Sequence, residues 1–350
     1  MRSASFSFPS CLLVLFLAAP SAADCDAFRA LEGKAWVDGD CFETPLGERW
    51  WPNVLWGPDD QAGSTNWYRQ PEVVKRALAQ IEQGKAEKIG QEYSSEMPLF
   101  GDRSFALRIP GAPTGKVPGA NQPVWNDEFL ATEVGQVGTQ FDGLGHIGVQ
   151  IGEAGDQNQI RFYNGRTATE IQHAYGLLAL GTEQLHPIIA RGVLIDIAAA
   201  RGVESLEAGD EITLADVRKA LELQGMSDFA LQPGDAVLFR TGWEKHWITD
   251  NEKYNAGTPG IGIEVARWLA EGKVGVTGAD TWPVEVVPNP DPDCAFCVHT
   301  FLQARHGIVN QENLKLSELA RAGVYQFAYF FTPVPIRGAT GSIGSPTVMW

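Results

Sequence analysis

The chain has 350 residues, 27 of them basic and 43 acidic, for a formal net charge of -16. That acid surplus argues against nucleic acid or an anionic membrane surface as a partner, since both are polyanions. The length allows one large core or two modest ones, and no internal repeat or low-complexity tract interrupts it.

Residues 1–23 carry Arg2, the apolar run Leu12 to Ala19 and the small residues Ser21-Ala22-Ala23, the plan of a cleaved secretory signal peptide. The run is short for a bilayer span, so the sequence predicts an exported protein, periplasmic or secreted, cut near Asp24. Cys25, Cys41, Cys294 and Cys297 then remain. Export favours disulfides, expected as Cys25 with Cys41 and Cys294 with Cys297. Because His299 follows Cys294-Ala-Phe-Cys297, a metal or redox role for that pair stays open.

Residues 24–87 read as an N-terminal extension. Trp56-Gly-Pro-Asp-Asp-Gln-Ala-Gly-Ser-Thr-Asn66 is rich in turn formers and reads either as an ordered surface loop or as a segment that lines a pocket. Pro71 opens an amphipathic helix with Val73, Val74, Leu78 and Ile81 at helical spacing, closed by Gly84. From residue 88 the pattern changes to short strands and loops, expected to form one domain over 88–350.

Gln136-Val-Gly-Thr-Gln140-Phe-Asp142-Gly-Leu-Gly-His146 holds the densest chemistry: two amides, a carboxylate and an imidazole, interrupted by glycines at 138, 143 and 145. Read as a strand, residues 136–142 put Gln136, Gly138, Gln140 and Asp142 on one face and Val137, Thr139 and Phe141 on the other. Oxygen donors beside a histidine delivered by a glycine-broken turn suit a metal next to a proton carrier.

This stretch resembles the H-x-G-T-H-x-D-x-P-x-H signature of the metal-dependent cyclase family, which includes bacterial kynurenine formamidase and isatin hydrolase. Asp142 falls on the ligand aspartate and His146 on the catalytic histidine, while Gln136 and Gln140 stand where the family has two ligand histidines. An amide oxygen is a harder, weaker ligand than imidazole, which shifts the expected divalent metal from zinc toward manganese and leaves a metal-free site open.

Farther along, Gly192-Val-Leu-Ile-Asp-Ile197, Ala236-Val-Leu-Phe-Arg240 and Val274-Gly-Val-Thr277 are brief apolar runs that read as buried strands. Helices are expected from a capping box at Thr213 to about Leu223, from Ile263 to Glu271, and from Leu316 to Ala322. Gln232 to Trp243 and the tail containing Gly341 and Ser342 also resemble the family. So does Cys297-Val-His299 through Gln311-Glu312-Asn-Leu314, which supplies its further ligand histidine and glutamate. His306 reads as a helix C-cap, and His173, His186 and His246 as structural.

The resemblance implies an α/β chain with a swivelling β/β/α fold, a mixed sheet or barrel-like core with flanking helices, in a dimer or tetramer. It also implies hydrolysis of an amide, formamide or lactam C–N bond in a small molecule. Metal-activated water would attack, with His146 as proton relay. The implied ligands are Asp142, Gln140, His299, Glu312 and Gln136, and Trp56, Phe141, Asp280 and Trp282 are candidates for contact with substrate. No G-x-S-x-G elbow supports a serine hydrolase. A metal-independent lyase or isomerase of this fold, or an exported binding protein without turnover, remain the alternatives.

Overall fold

The computed structural model describes residues 50–350 except 54; the expected signal peptide and Cys25–Cys41 bridge fall outside the described residues. Nine strands form one mixed sheet that curls into a half-barrel, with helices against it. In chain order they are β1 Ala86–Lys88, β2 Gln140–Asp142, β3 Ile188–Asp196, β4 Ala236–Arg240, β5 Val276–Ala279, β6 Val309–Glu312, β7 Gln326–Phe331, β8 Gly341–Ile343 and β9 Thr347–Met349. In space they run β1-β9-β7-β3-β4-β5-β6-β2-β8. The middle strands β3 to β6 are parallel to one another, β7 pairs β3 antiparallel, and β2 enters antiparallel between β6 and β8.

The parallel strands β3 and β4 are mostly apolar because both their faces are covered. Leu194 and Leu238 enter a core with Phe141, Phe327 and Tyr329, whereas Val193, Ile195, Val237 and Phe239 enter a second core on the other side. Helix α1, Pro71–Leu78, gives Val73 to the first core. Tyr68 joins it there, so part of the stretch read as an extension is packed into the domain. Helices α2, Leu214–Leu223, and α3, Ile263–Glu271, close the second core with Val217, Leu221, Val265 and Leu269. The capping box at the start of α2 is formed as expected, Thr213 with Asp216.

Some boundaries move. α1 ends at Leu78, so Ile81 lies beyond it and Leu78 is exposed. The strand expected at 274–277 is shifted to 276–279, since Val274 gives its N–H back to Leu269 at the end of α3 and Gly275 turns onto Asp235. The larger correction concerns residues 136–139, which are a turn and not part of a strand. Gly138 has φ +61°, a left-handed conformation, and the Tyr93 ring occupies the space a Cβ would take, 2.2 Å away. Asn313 pins the turn by donating to the Gly138 carbonyl at 2.7 Å and accepting the Thr139 hydroxyl on its own carbonyl at 2.7 Å.

Two short ribbons, Phe105–Arg108 with Phe129–Thr132 and Gly115–Lys116 with Val124–Trp125, leave Leu107, Val124 and Phe129 exposed.

Candidate metal centre

Strand register builds half of the site. Across the antiparallel ladder Gln140 faces Glu312 and Asp142 faces Asn310. Alternation then turns Gln140 and Asp142 to one side and sends Phe141 to the other, where it is fully buried against Phe331. Phe141, a candidate for substrate contact, is therefore a core residue. The other half comes from the helical turn Cys297–His299, which continues as a π-helical turn over Thr300–Arg305 capped by His306; such turns recur at functional sites. Cys294 and Cys297 form a disulfide just before it.

One donor atom each from Asp142, His299 and Glu312 lie within 4.8 Å of one another, and all three residues are buried. His299 Nε2 is 2.9 Å from Glu312 Oε1 and 3.7 Å from Asp142 Oδ2. Its Nδ1 meets Glu285 Oε1 at 2.5 Å, and that same oxygen accepts the His299 backbone N–H at 2.9 Å. Glu285 thus holds both ring and backbone and aims Nε2 at the two other carboxylates, the arrangement that fixes an imidazole ligand.

The charges are unbalanced. Burial opposes a proton on His299, but Asp142, Glu285 and Glu312 outweigh it and raise its pKa well above the ordinary histidine value. Burial would raise Asp142, yet His146, His299 and the Gln136 amide bring it below the usual carboxylate range. Glu312 is raised by burial and by the charge of Asp142, with His299 only partly offsetting them. Three carboxylates around one buried imidazole leave net negative charge, and Asp142 Oδ2 has no hydrogen-bond partner. A buried, orphaned carboxylate oxygen beside two further N and O donors fits a divalent cation.

Gln136 and Gln140, expected as oxygen ligands, turn their nitrogens inward. Gln140 Nε2 donates to Glu312 Oε2 at 2.5 Å, and Gln136 Nε2 donates to Asp142 Oδ1 at 2.8 Å and lies 3.2 Å from His146 Nδ1. Arg103 donates to the Gln136 carbonyl oxygen at 2.9 Å, which sets the orientation of that amide. Surplus negative charge attracts the N–H end of each amide, so both glutamines brace carboxylates. His146 Nε2 stands 3.9 Å from Asp142 Oδ1 with 26% of its side chain exposed, against 4% for His299, so it faces outward from the cluster.

The other candidates lie elsewhere. Asp280 accepts from the Thr241 N–H and hydroxyl at 2.8 and 2.6 Å and from the Gly242 N–H at 2.7 Å, which shapes the turn after β4. Burial and the charge of Glu244 push its pKa up to about 7 against those hydrogen bonds. Trp282 donates its indole N–H to Tyr254 at 2.9 Å and stacks on Phe100 at 3.7 Å. Trp56 packs edge-on against Trp67 at 4.8 Å. In the same segment Asp60 gathers the Gly63 N–H, the Asn66 amide and the Tyr163 hydroxyl into an ordered knot.

Sequence reasoning missed Glu285 and Arg103. Glu285 stood out in principle as a lone charge inside Pro283-Val-Glu-Val-Val287, whereas Arg103 sits in a polar loop with no distinguishing pattern. Cys294, Cys297 and Glu285 also lie close enough together to bind an ion, but the two sulfurs are bonded to each other and Glu285 is engaged with His299.

Residues 88–286, more than half of the chain, match the model of the family described as "Putative cyclase". Asp142, His146 and Glu285 lie inside that match; His299 and Glu312 lie after it. A crystal structure of a novel cyclase is 30% identical over 84% of this chain and 98% of its own, with a TM-score of 0.70. Isatin hydrolase A from Ralstonia solanacearum is 19% identical over 79% of this chain and 95% of its own, with a TM-score of 0.55. Isatin hydrolase A from Labrenzia aggregata, bound to benzyl benzoate, is 17% identical over 75% and 93%, with a TM-score of 0.53. No curated protein matches significantly by sequence.

Proposed function

This chain belongs to the cyclase family, and from that premise we propose that it hydrolyses an amide, formamide or lactam C–N bond with a divalent cation, manganese or zinc, held by Asp142, His299 and Glu312. The observation that carries this reading is Asp142 Oδ2, buried without a hydrogen-bond partner, 3.7 Å from His299 Nε2 and close to Glu312. The bound cation supplies Lewis acidity toward a carbonyl and toward water.

His146 is the proton carrier in this reading, because its ring is the part of the cluster that meets solvent. It takes a proton from water as oxygen attacks the carbonyl carbon, and returns it to the departing nitrogen as the C–N bond breaks. Gln136 restrains the ring from its Nδ1 side, and Gln140 keeps the second oxygen of Glu312 occupied. The substrate is a small molecule. The proposal includes export to the periplasm or medium and a homo-oligomer, for which exposed Leu107, Val124 and Phe129 offer apolar contact surface. Among the described residues no helix is long and apolar enough to cross a membrane.

Glutamines at 136 and 140 favour one second reading, a lyase or isomerase that uses His146 and Asp142 without a cation. Elemental analysis of the purified protein, paired with assays on N-formylkynurenine and aryl lactams before and after chelation, separates the two. Loss of both metal and turnover in Asp142→Ala supports hydrolysis with a cation. Undiminished metal content in that variant, or turnover that survives complete chelation, rejects it.

A further inference from the structure

The loop Phe100–Ser104 brings a guanidinium to the edge of the donor cluster. Arg103 Nη2 is 2.9 Å from the Gln136 oxygen, and the nitrogen of the same amide is 2.8 Å from Asp142 and 3.2 Å from His146. Two hydrogen bonds and one amide therefore separate Arg103 from Asp142, a span of at most roughly 8 Å. The guanidinium is supported from below as well. Its Cζ lies 5.4 Å from the centre of the Phe100 ring, and that ring stacks at 3.7 Å on Trp282, which is itself anchored to Tyr254. Glu133 holds the loop by accepting the Ser104 N–H at 2.7 Å.

Among the described residues no carboxylate lies within ion-pair distance of Arg103, Glu133 feeling its charge only from farther off, although the chain carries 43 acidic residues and only 27 basic ones. A half-buried arginine that is oriented from two sides and uses one nitrogen on a neutral amide still has N–H donors to give. A planar guanidinium fixed in place is suited to a carboxylate, because its donors are already aligned and little freedom is lost on binding. Such a cation is also what an anionic substrate needs in order to approach a site whose own carboxylates outnumber its imidazoles.

We propose that Arg103, seated over the Phe100 ring and tethered to Gln136, is an anion-recognition residue, and that the substrate is an amide bearing a carboxylate on the group next to the scissile bond. The assignment rests on the hydrolase reading and narrows its substrate class. In that assignment the carboxylate meets the guanidinium while the scissile carbonyl faces the donor cluster.

The test compares 2-formamidobenzoate with formanilide, which lacks the carboxylate, using the manganese-loaded full-length mature protein and its R103M and R103K variants. Titration calorimetry with 2-aminobenzoate and with aniline runs in parallel. The expected result is that R103M lowers the ratio of kcat/KM for the anionic over the neutral amide by about 10- to 100-fold and weakens 2-aminobenzoate by a similar factor, while R103K recovers part of both. Equal losses on the two amides would assign Arg103 to holding Gln136 and overturn the proposal, as would 2-aminobenzoate binding that is indifferent to R103M. If the wild-type protein hydrolyses neither amide yet binds 2-aminobenzoate through Arg103, the substrate assignment is overturned and the anion-recognition assignment stands; turnover of another amide or lactam then decides the hydrolase reading separately.

Discussion

Gln140 and Glu312 face each other across the β2–β6 ladder, and the amide donates its N–H to the buried carboxylate at 2.5 Å. The near-isosteric Q140E replaces that donor with a second carboxylate in register, and the pair must then share a proton or repel. Because the shared proton raises a folded-state pKa, stability is retained at low pH and falls as pH rises through that value. At pH 8 without metal, Q140E should be about 2 kcal/mol less stable than wild type in urea, with the deficit smaller at pH 5. A deficit that does not change with pH would separate Gln140 from the charge of Glu312.

Glu285 should act on cation affinity through His299. With E285Q the Nδ1 side of the imidazole loses its anionic partner, and manganese affinity measured by calorimetry is expected to drop about 10- to 100-fold. Far-UV circular dichroism of the variant checks that the fold is kept. Unaltered affinity would mean that the contact with Glu285 does not orient a ligand.

His146 and Asp142 should separate in their effects. H146A is expected to retain bound metal and to lower kcat by about 100- to 10,000-fold on an amide substrate, the range for loss of a proton-transfer group. An H146A protein that purifies without metal would make this residue a ligand instead.

Asp280 sets a pH dependence of stability outside the cluster. Its pKa is about 7 in the fold because of burial and Glu244, against about 4 in an unfolded chain. A raised pKa means that the folded state holds the extra proton. The contribution is complete below about pH 4 and is lost as pH climbs through about 7. Urea midpoints of wild type should decline across this window more steeply than those of D280N. Parallel curves would put the titrating group elsewhere.

Gly138 offers a purely conformational check. An alanine there must hold φ at +61° and drive its Cβ into the Tyr93 ring, so G138A should cost about 2 kcal/mol and loosen the turn that carries Gln136. Thermal unfolding that matches wild type would contradict the left-handed turn.

Much of the fold could be read from the residues because its signals are local. The Thr213 capping box, the helix over 263–271 and the apolar run of β4 each lie within one short segment. Of the strand expected at 136–142 only 140–142 formed, because the alternation of polar and apolar residues continued through a glycine whose backbone is turned by Tyr93 and Asn313, residues remote in sequence. Asp142, His299 and Glu312 emerged from the family resemblance, and the fold brings their donors together. The direction of the two glutamine amides was not legible. Each depends on a carboxylate remote in sequence or turned toward it in space, and that of Gln136 on Arg103 as well, and spacing along a chain contains neither fact.

β2 has pairing partners on both edges, and both are made much later: β6 ends at residue 312 and β8 at residue 343. Asp142 is therefore synthesised long before His299 and Glu312, the residues whose donors it meets in the fold. A fragment ending before residue 299 lacks two of the three donors and should capture no metal, which would tie cation uptake to folding of the whole polypeptide.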